Sequence, residues 1–283
     1  DLLLSGSRVH YGTAGAAVHV VDIAKNEYRE SYLADIYDAA RIVEQMDNIH
    51  FFQRPMVARD IPDPADLDFN TVYAAIKGTT KHVGVSFTEA EFMKPVFEML
   101  HSVAGSEGKW RARPFVSNSN CFVVPPLRFA TESCLVMEEA VHNGMPVLLL
   151  SAGQAGAPAP ASIAAAVAQA LSEVIAGLIY VNAMKPGHPC ICGTWPFVSD
   201  LRTGAMSGGS GEQGLLTAAC AQMLQYYDLP GGAAAGMADA KMPDAQSGYE
   251  KGSTLVMAGL SGLNMVYEAA GMHASLLGFC LDS

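Results

Sequence analysis

From about residue 35 onward, short apolar runs alternate with stretches whose apolar residues recur at helical spacing. In "SYLADIYDAARIVEQMDN", Ile36, Ala39, Ala40, Val43 and Met46 share one face of a 3.6-residue period, with Asp38, Arg41 and Glu44 off it. "NIHFF" (48–52) reads as a strand, "DLDFNTVYAAIKGTT" as a helix ending near Gly78, and "KHVGVSF" (81–87) as another strand. Thr88 and Glu91 form a capping-box pattern ahead of "EAEFMKPVFEMLHSVAG", which Gly105 closes. Strands follow in "RPFVSNSNCFVVPPL", "MPVLLLS" (145–151), "HPCICGT" and "GGAAAGMAD". Helical patterns lie in "ATESCLVMEEAVHNG", "ASIAAAVAQALSEVIAGLIYVNAMKPG", "EQGLLTAACAQMLQYYDL" and "EKGSTLVMAGLSG", with a last strand at "NMVYE".

About seven strand–loop–helix repeats imply a parallel sheet, and so many in one chain favour a closed TIM-type (β/α)8 barrel over an open doubly wound sheet. "SRVHYGTAGAAVHVVDIAKNEYRE" reads as a β-hairpin, which gives an N-terminal extension over residues 1–34 and a barrel over 35–283. Opening at Asp1 and stopping just after "GFCLDS", the chain also reads as a piece cut from a longer one, with truncated termini and a barrel incomplete at its C-terminal end. Neither G-x-G-x-x-G nor G-x-x-x-x-G-K-[ST] follows any strand, which argues against dinucleotide and P-loop sites.

Charge narrows the partners. A formal net charge of -11 leaves no clustered Lys/Arg for nucleic acid or an anionic membrane. The uncharged stretch from Val141 to Ser172 is broken by Asn143, Gly144, Gly153, Gln154, Gly156, Pro158 and Pro160, so it reads as strand, loop and helix, not as a membrane span. Six cysteines in a chain of 283 residues fit buried free thiols and a reducing cytoplasm. His188-Pro189-Cys190-Ile191-Cys192 lacks a second ligand pair, so no metal site is expected.

In a barrel of this kind, chemistry gathers just after the strand ends. The segment from Gly193 to Gln213 is the longest such loop and holds Trp195, Phe197, Asp200, Arg202 and Glu212. Aromatic faces beside carboxylates suit a cation with no N–H to donate, and plugging the barrel end is the structural alternative for Trp195 and Phe197. In "KMPDAQSGYEKGS" (241–253), Ser247 and Glu250 read as a capping box, with Asp244 and Glu250 also suited to the positive helix N-terminus. Capping leaves Asp239, Lys241 and Gln246 unexplained. Lys241 and Lys81 could form a Schiff base if buried, as in a lyase or aldolase, although a charged surface lysine is the commoner fate. None of the eight histidines forms a metal pair on one helical face.

Several segments together resemble the trimethylamine methyltransferase family, in particular its branch without pyrrolysine, which includes glycine betaine methyltransferases. They are "RVHYGTAGAAVHVVD", "DNIHFFQRP", "TTKHVGVSF", "GHPCICGTWPFVSDLRTGAMSGGSGEQ" and "DAKMPDAQSGYEKG". The resemblance implies a TIM-type barrel that moves a methyl group from a quaternary amine, glycine betaine as best guess, to the Co(I) of a separate corrinoid protein. It implies no tightly bound cofactor, the cobalamin being supplied by the partner protein. A cytoplasmic homo-oligomer is expected. The place of pyrrolysine falls near Gly236 and Met237, where a glycine would leave room for a larger substrate. Under this resemblance Trp195, Phe197 and Tyr267 face the cation, Asp239 or Glu212 supplies counter-charge, and His188, Arg202 and Gln246 are donors for a carboxylated substrate. A lyase or aldolase and a catalytically silent betaine-binding protein are the alternatives.

Overall fold

The computed structural model describes residues 2–283. Eight parallel strands follow one another: β1 His10–Tyr11, β2 Phe51–Gln53, β3 His82–Val85, β4 Val116–Asn120, β5 Val147–Ser151, β6 Cys190–Thr194, β7 Gly231–Ala234 and β8 Met265–Tyr267. From β2 to β8 each strand pairs in parallel with the next in chain order, and β8 pairs with β1. A parallel bridge between Gly12 and Phe51 closes the ring, with the His50 amide donating to Tyr11 O at 2.7 Å. The result is a (β/α)8-type barrel.

The helices are α1 Leu33–Glu44, α2 Pro64–Gly78, α3 Met93–Ala104, α4 Glu107–Ala112, α5 Thr131–His142, α6 Ile163–Met184, α7 Gly211–Tyr226 and α8 Ala245–Leu260. Asp63 caps α2 ahead of a proline at its first position, and Gly105 in the left-handed region ends α3. Thr88 is not part of a capping box: its amide and hydroxyl both donate to Asp68, and a short 3-10 turn starts at Ala90. α6 is long and apolar enough to cross a membrane by length and composition alone. Its Ala166, Ala170, Val174, Gly177 and Val181 are buried at helical spacing, as in a helix packed on a barrel. Pro146, Pro189 and Pro230 sit directly before β5, β6 and β7, where a missing N–H costs no ladder bond. Their carbonyls still accept from Asn118, Val147 and Cys192 amides at 2.9, 3.1 and 2.9 Å.

Part of the stretch before residue 34 belongs to the barrel. A hairpin is present, His19–Asp22 against Glu27–Glu30, and it joins Met272–His273 and Gly278–Phe279 in a four-stranded sheet. Residues 10 and 11, placed with the extension by their sequence, are instead the first barrel strand.

Register decides what the barrel encloses. Gly12, Phe51 and Gln53, Gly84, Gly193, Gly232 and Tyr267 share one face. The Phe51 and Tyr267 rings, from strands on either side of β1, lie 5.1 Å apart, which marks that face as the interior. A methyl on Gly12 would fall 2.3 Å from the Phe51 ring, one on Gly232 2.8 Å from Tyr267, and one on Gly84 1.7 Å from the Gln53 amide oxygen. Gly12→Ala should therefore destabilise the barrel by about 1–3 kcal/mol, measured by denaturant unfolding, and Phe51→Leu in the same chain should recover part of that loss.

Candidate functional site

At the C-terminal end of the strands, Trp195 continues β6, its amide donating to Ser151 O at 2.8 Å, so its ring falls on the inner face. It meets Tyr267 at 5.2 Å between ring centroids, and Tyr267 meets Phe51. All three rings are buried. The Tyr267 hydroxyl is directed at Met265 Sδ, 3.3 Å away, and burial pushes its pKa upward. Trp195 Nε1 is buried with no hydrogen-bond partner among the described residues.

Above them lies a rim, not an open loop. Phe197–Ser199 pairs in parallel with Gln154–Ala155 and antiparallel with Met206–Ser207. Phe197 is buried in it, so both structural plugging and a place near the mouth apply to that ring. Asp239 fastens the rim: its carboxylate accepts from Ser207 Oγ at 2.5 Å, Gly208 N at 2.9 Å and Ser275 Oγ at 3.0 Å. Glu250 in turn accepts from the Asp239 and Ala240 amides at 2.7 and 3.1 Å and from Gln246 at 2.8 Å. The α8 cap is Asp244, whose carboxylate accepts from the Ser247 amide at 2.9 Å; the expected Ser247–Glu250 capping box is not formed.

Several expected site residues are placed elsewhere. Gly236 has φ +94°, but a Cβ there would meet Glu268 O at 2.8 Å and Leu255 at 2.9 Å, so this glycine opens no room for substrate. Met237 is buried with its sulfur under Gly208. Glu212 is exposed in the first turn of α7, and Gln246 is exposed on α8. His188 Nε2 donates to Met145 O at 2.9 Å, ahead of β6, and so belongs to the opposite end of the barrel. Arg202 pairs with Asp200 in the rim and is largely exposed. Lys81 Nζ donates to the carbonyls of Val43, Met46 and Ile49 at 2.5–2.6 Å, closing off the end of α1, and Lys241 Nζ reaches Asp239 O at 2.9 Å. Neither is a buried amine free for imine chemistry. Cys190 and Cys192 have thiols pushed up to about 12 by burial, and among the described residues no metal-binding cluster forms.

Two groups were not singled out in the sequence. Glu268 directly follows Tyr267, is fully buried, and neither carboxyl oxygen has a partner among the described residues. Burial alone raises its pKa from 4.5 to about 8, and its backbone lies in the left-handed region at φ +64°. Arg54, directly after β2, has a buried Nε without a partner; burial lowers its pKa, against the nearby Asp68 charge. The visible signal for both was position, a charged residue immediately beyond a strand end.

A cavity of about 990 Å³ opens at the other end of the barrel. His50, Lys81, His82, Arg113, Cys190 and Tyr267 help to line it, and no Asp or Glu is among its described lining residues. Such a lining does not favour a permanent cation.

The fold and this arrangement define a (β/α)8-barrel protein. Solved dihydropteroate synthases share that fold: one from Coxiella burnetii superposes with a TM-score of 0.58 at 8% identity over 96% of this chain and 89% of its own. One from Xanthomonas albilineans gives 0.53 at 11% identity, over 97% and 90%. The chain belongs to the trimethylamine methyltransferase (MTTB) family, whose model matches residues 1–282. It is 31% identical to a trimethylamine methyltransferase of Desulfitobacterium hafniense, covering 95% of this chain and 54% of that protein. One from Methanosarcina thermophila is 30% identical over 98% of this chain and 59% of its own. A glycine betaine methyltransferase of D. hafniense is 30% identical over 86% of this chain and 51% of its own. The chain thus spans between half and three fifths of the length of these relatives.

Between its ordinary value of 4.5 and about 8, Glu268 keeps its proton in the folded chain while the unfolded chain loses it. Stability therefore falls as pH rises through that window, and the loss is complete above it. Glu268→Gln should raise the melting temperature at pH 8 clearly more than at pH 5, by thermal scans at both; a pH-independent difference would remove the buried-acid assignment.

Proposed function

We propose that this chain carries the catalytic barrel of a methyltransferase that removes a methyl group from a quaternary amine, glycine betaine first among candidates. Family membership supports the reaction class. The single observation that supports a quaternary cation is the buried Trp195–Tyr267 pair at the C-terminal end of the barrel. An ammonium without N–H cannot use hydrogen-bond acceptors, and cation–π contact with desolvated rings contributes about 0.5–2 kcal/mol per ring.

The acceptor in this reading is the reduced corrinoid of a separate protein, which supplies the nucleophile. The chain's own residues then have a restricted task. A quaternary amine leaves as a neutral tertiary amine and needs no proton, so no general acid is required. What remains is to hold the cation, exclude water and aim one N–CH3 bond outward from the mouth. Since the 990 Å³ cavity opens at the opposite end, a corrinoid would approach over the rim of residues 197–207. That rim covers the mouth and must move for substrate to pass, and the Asp239 bonds to Ser207 and Gly208 are what it would release. A cytoplasmic setting accompanies this reading, in keeping with six free cysteines.

Incubation with glycine betaine and chemically reduced cobalamin should yield methylated cobalamin by absorbance and dimethylglycine by mass spectrometry. Activity on choline, carnitine or proline betaine in place of glycine betaine would keep the mechanism and change the substrate; inactivity on all of them would overturn it. Trp195→Ala or Tyr267→Ala should weaken substrate binding by about 3- to 30-fold, which calorimetry would show, and unchanged affinity would remove that ring from the site.

A further inference from the structure

We propose that Glu268 is the counter-charge of the bound quaternary ammonium, a neutral acid in the free protein that gives up its proton to solvent when the cation arrives. The proposal rests on the reading of the site given above and adds a residue and a proton to it.

Position comes first. Glu268 directly follows Tyr267, the last residue of β8, at the same end of the barrel as Trp195. It is fully buried, yet both carboxyl oxygens lack a partner among the described residues. A buried polar group is ordinarily satisfied, and an exception calls for an explanation, an absent ion or ligand among them. The backbone supports the same conclusion: a glutamate at φ +64° is uncommon, and such conformations gather at functional sites. Gly236 of the neighbouring strand end is packed against the Glu268 carbonyl, which ties the residue to its place.

The surroundings decide its charge. β7, β1 and α8 pack against β8. β7 carries no titratable group, β1 carries His10 and Tyr11, and α8 carries Tyr249, Glu250 and Lys251. None of these shifts Glu268; burial is the sole cause. Without a nearby cation the acid is therefore neutral at pH 7. A permanent cation in the same dry space favours the ionised form, and the reaction balances as neutral acid plus cation giving an ion pair plus one proton in the buffer. Asp239, one of the two carboxylates to which the sequence pointed, already accepts hydrogen bonds from Ser207, Gly208 and Ser275, and Glu212, the other, is exposed.

The test is calorimetry of the 283-residue chain with glycine betaine and with tetramethylammonium, in phosphate and in Tris at pH 7, repeated at pH 9.5. Close to one proton should be released per cation bound at pH 7 and almost none at pH 9.5. Affinity should rise up to about tenfold per pH unit and level off near pH 8. Glu268→Gln, which keeps the side-chain shape, should bind at least tenfold more weakly at pH 8 and release no proton. Binding with equal enthalpies in the two buffers at pH 7, or a Glu268→Gln variant that releases protons as the parent does, overturns the counter-charge and leaves the methyltransferase reading standing. Failure of both cations to bind removes that reading, and this proposal with it.

Discussion

Eight strands cannot close around the rings of Phe51, Tyr267 and Trp195 if every inward position also carries a Cβ. The barrel meets this constraint with glycine on the neighbouring strand. Gly12 lies under Phe51, Gly232 under Tyr267, and Gly84 under the Gln53 amide, each at a separation that no Cβ could tolerate. The same exchange recurs outside the ring, where Gly177 of α6 accepts the edge of Phe122. Packing of this kind is stiff, because neither partner can be enlarged without moving backbone. From it follows a fixed aromatic layer, with the cavity opening on the N-terminal side and the rim on the other.

The two ends of the barrel differ in charge as well as shape. The N-terminal cavity has Lys81, Arg113 and two histidines in its lining and no described carboxylate, although the chain is acidic overall. Beyond the strands' C-terminal ends stand Asp239, Glu250 and Glu268. Cations stand on that side too: Arg54 at the end of β2 within the field of Asp68, Arg202 paired with Asp200, and Lys241 on Asp239 O.

Much of the barrel could be read directly from the hydrophobic period. The strands in "MPVLLLS" and "HPCICGT" were found to within two residues at each end, because buried parallel strands are continuous apolar runs. β1 could not be found that way: its two residues, His10 and Tyr11, form no run, and only closure against β8 and Phe51 makes them a strand. Trp195 was legible as a ring-bearing position beyond a strand end, Tyr267 only through the family resemblance. The roles of Asp239, Gly236 and Glu268 were not, since each depends on what tertiary packing brings near. Asp239 meets Ser207 and Ser275, 32 and 36 residues away, and Gly236 meets the backbone of Glu268. Glu268 itself read as the polar tail of "NMVYE", since burial of a carboxyl without a partner leaves no mark in a local pattern.

The contrast between Asp239 and Glu268 carries the last step. Both are carboxyl groups at the same end of one barrel. For Asp239 the fold gathers two hydroxyls and an amide from distant segments, so it is able to satisfy an ion there. For Glu268 it supplies nothing, and it adds a backbone conformation that glutamate disfavours. A glutamine would keep the volume without the cost of a buried ionisable group above its ordinary pKa. An acid held at that cost is an arrangement that stability alone does not favour, whereas a cation-binding site does, because the missing partner is then the ligand. The physical difference between the two carboxyl groups is thus one of surroundings: Asp239 fastens the rim, and Glu268 is left without a partner among the described residues.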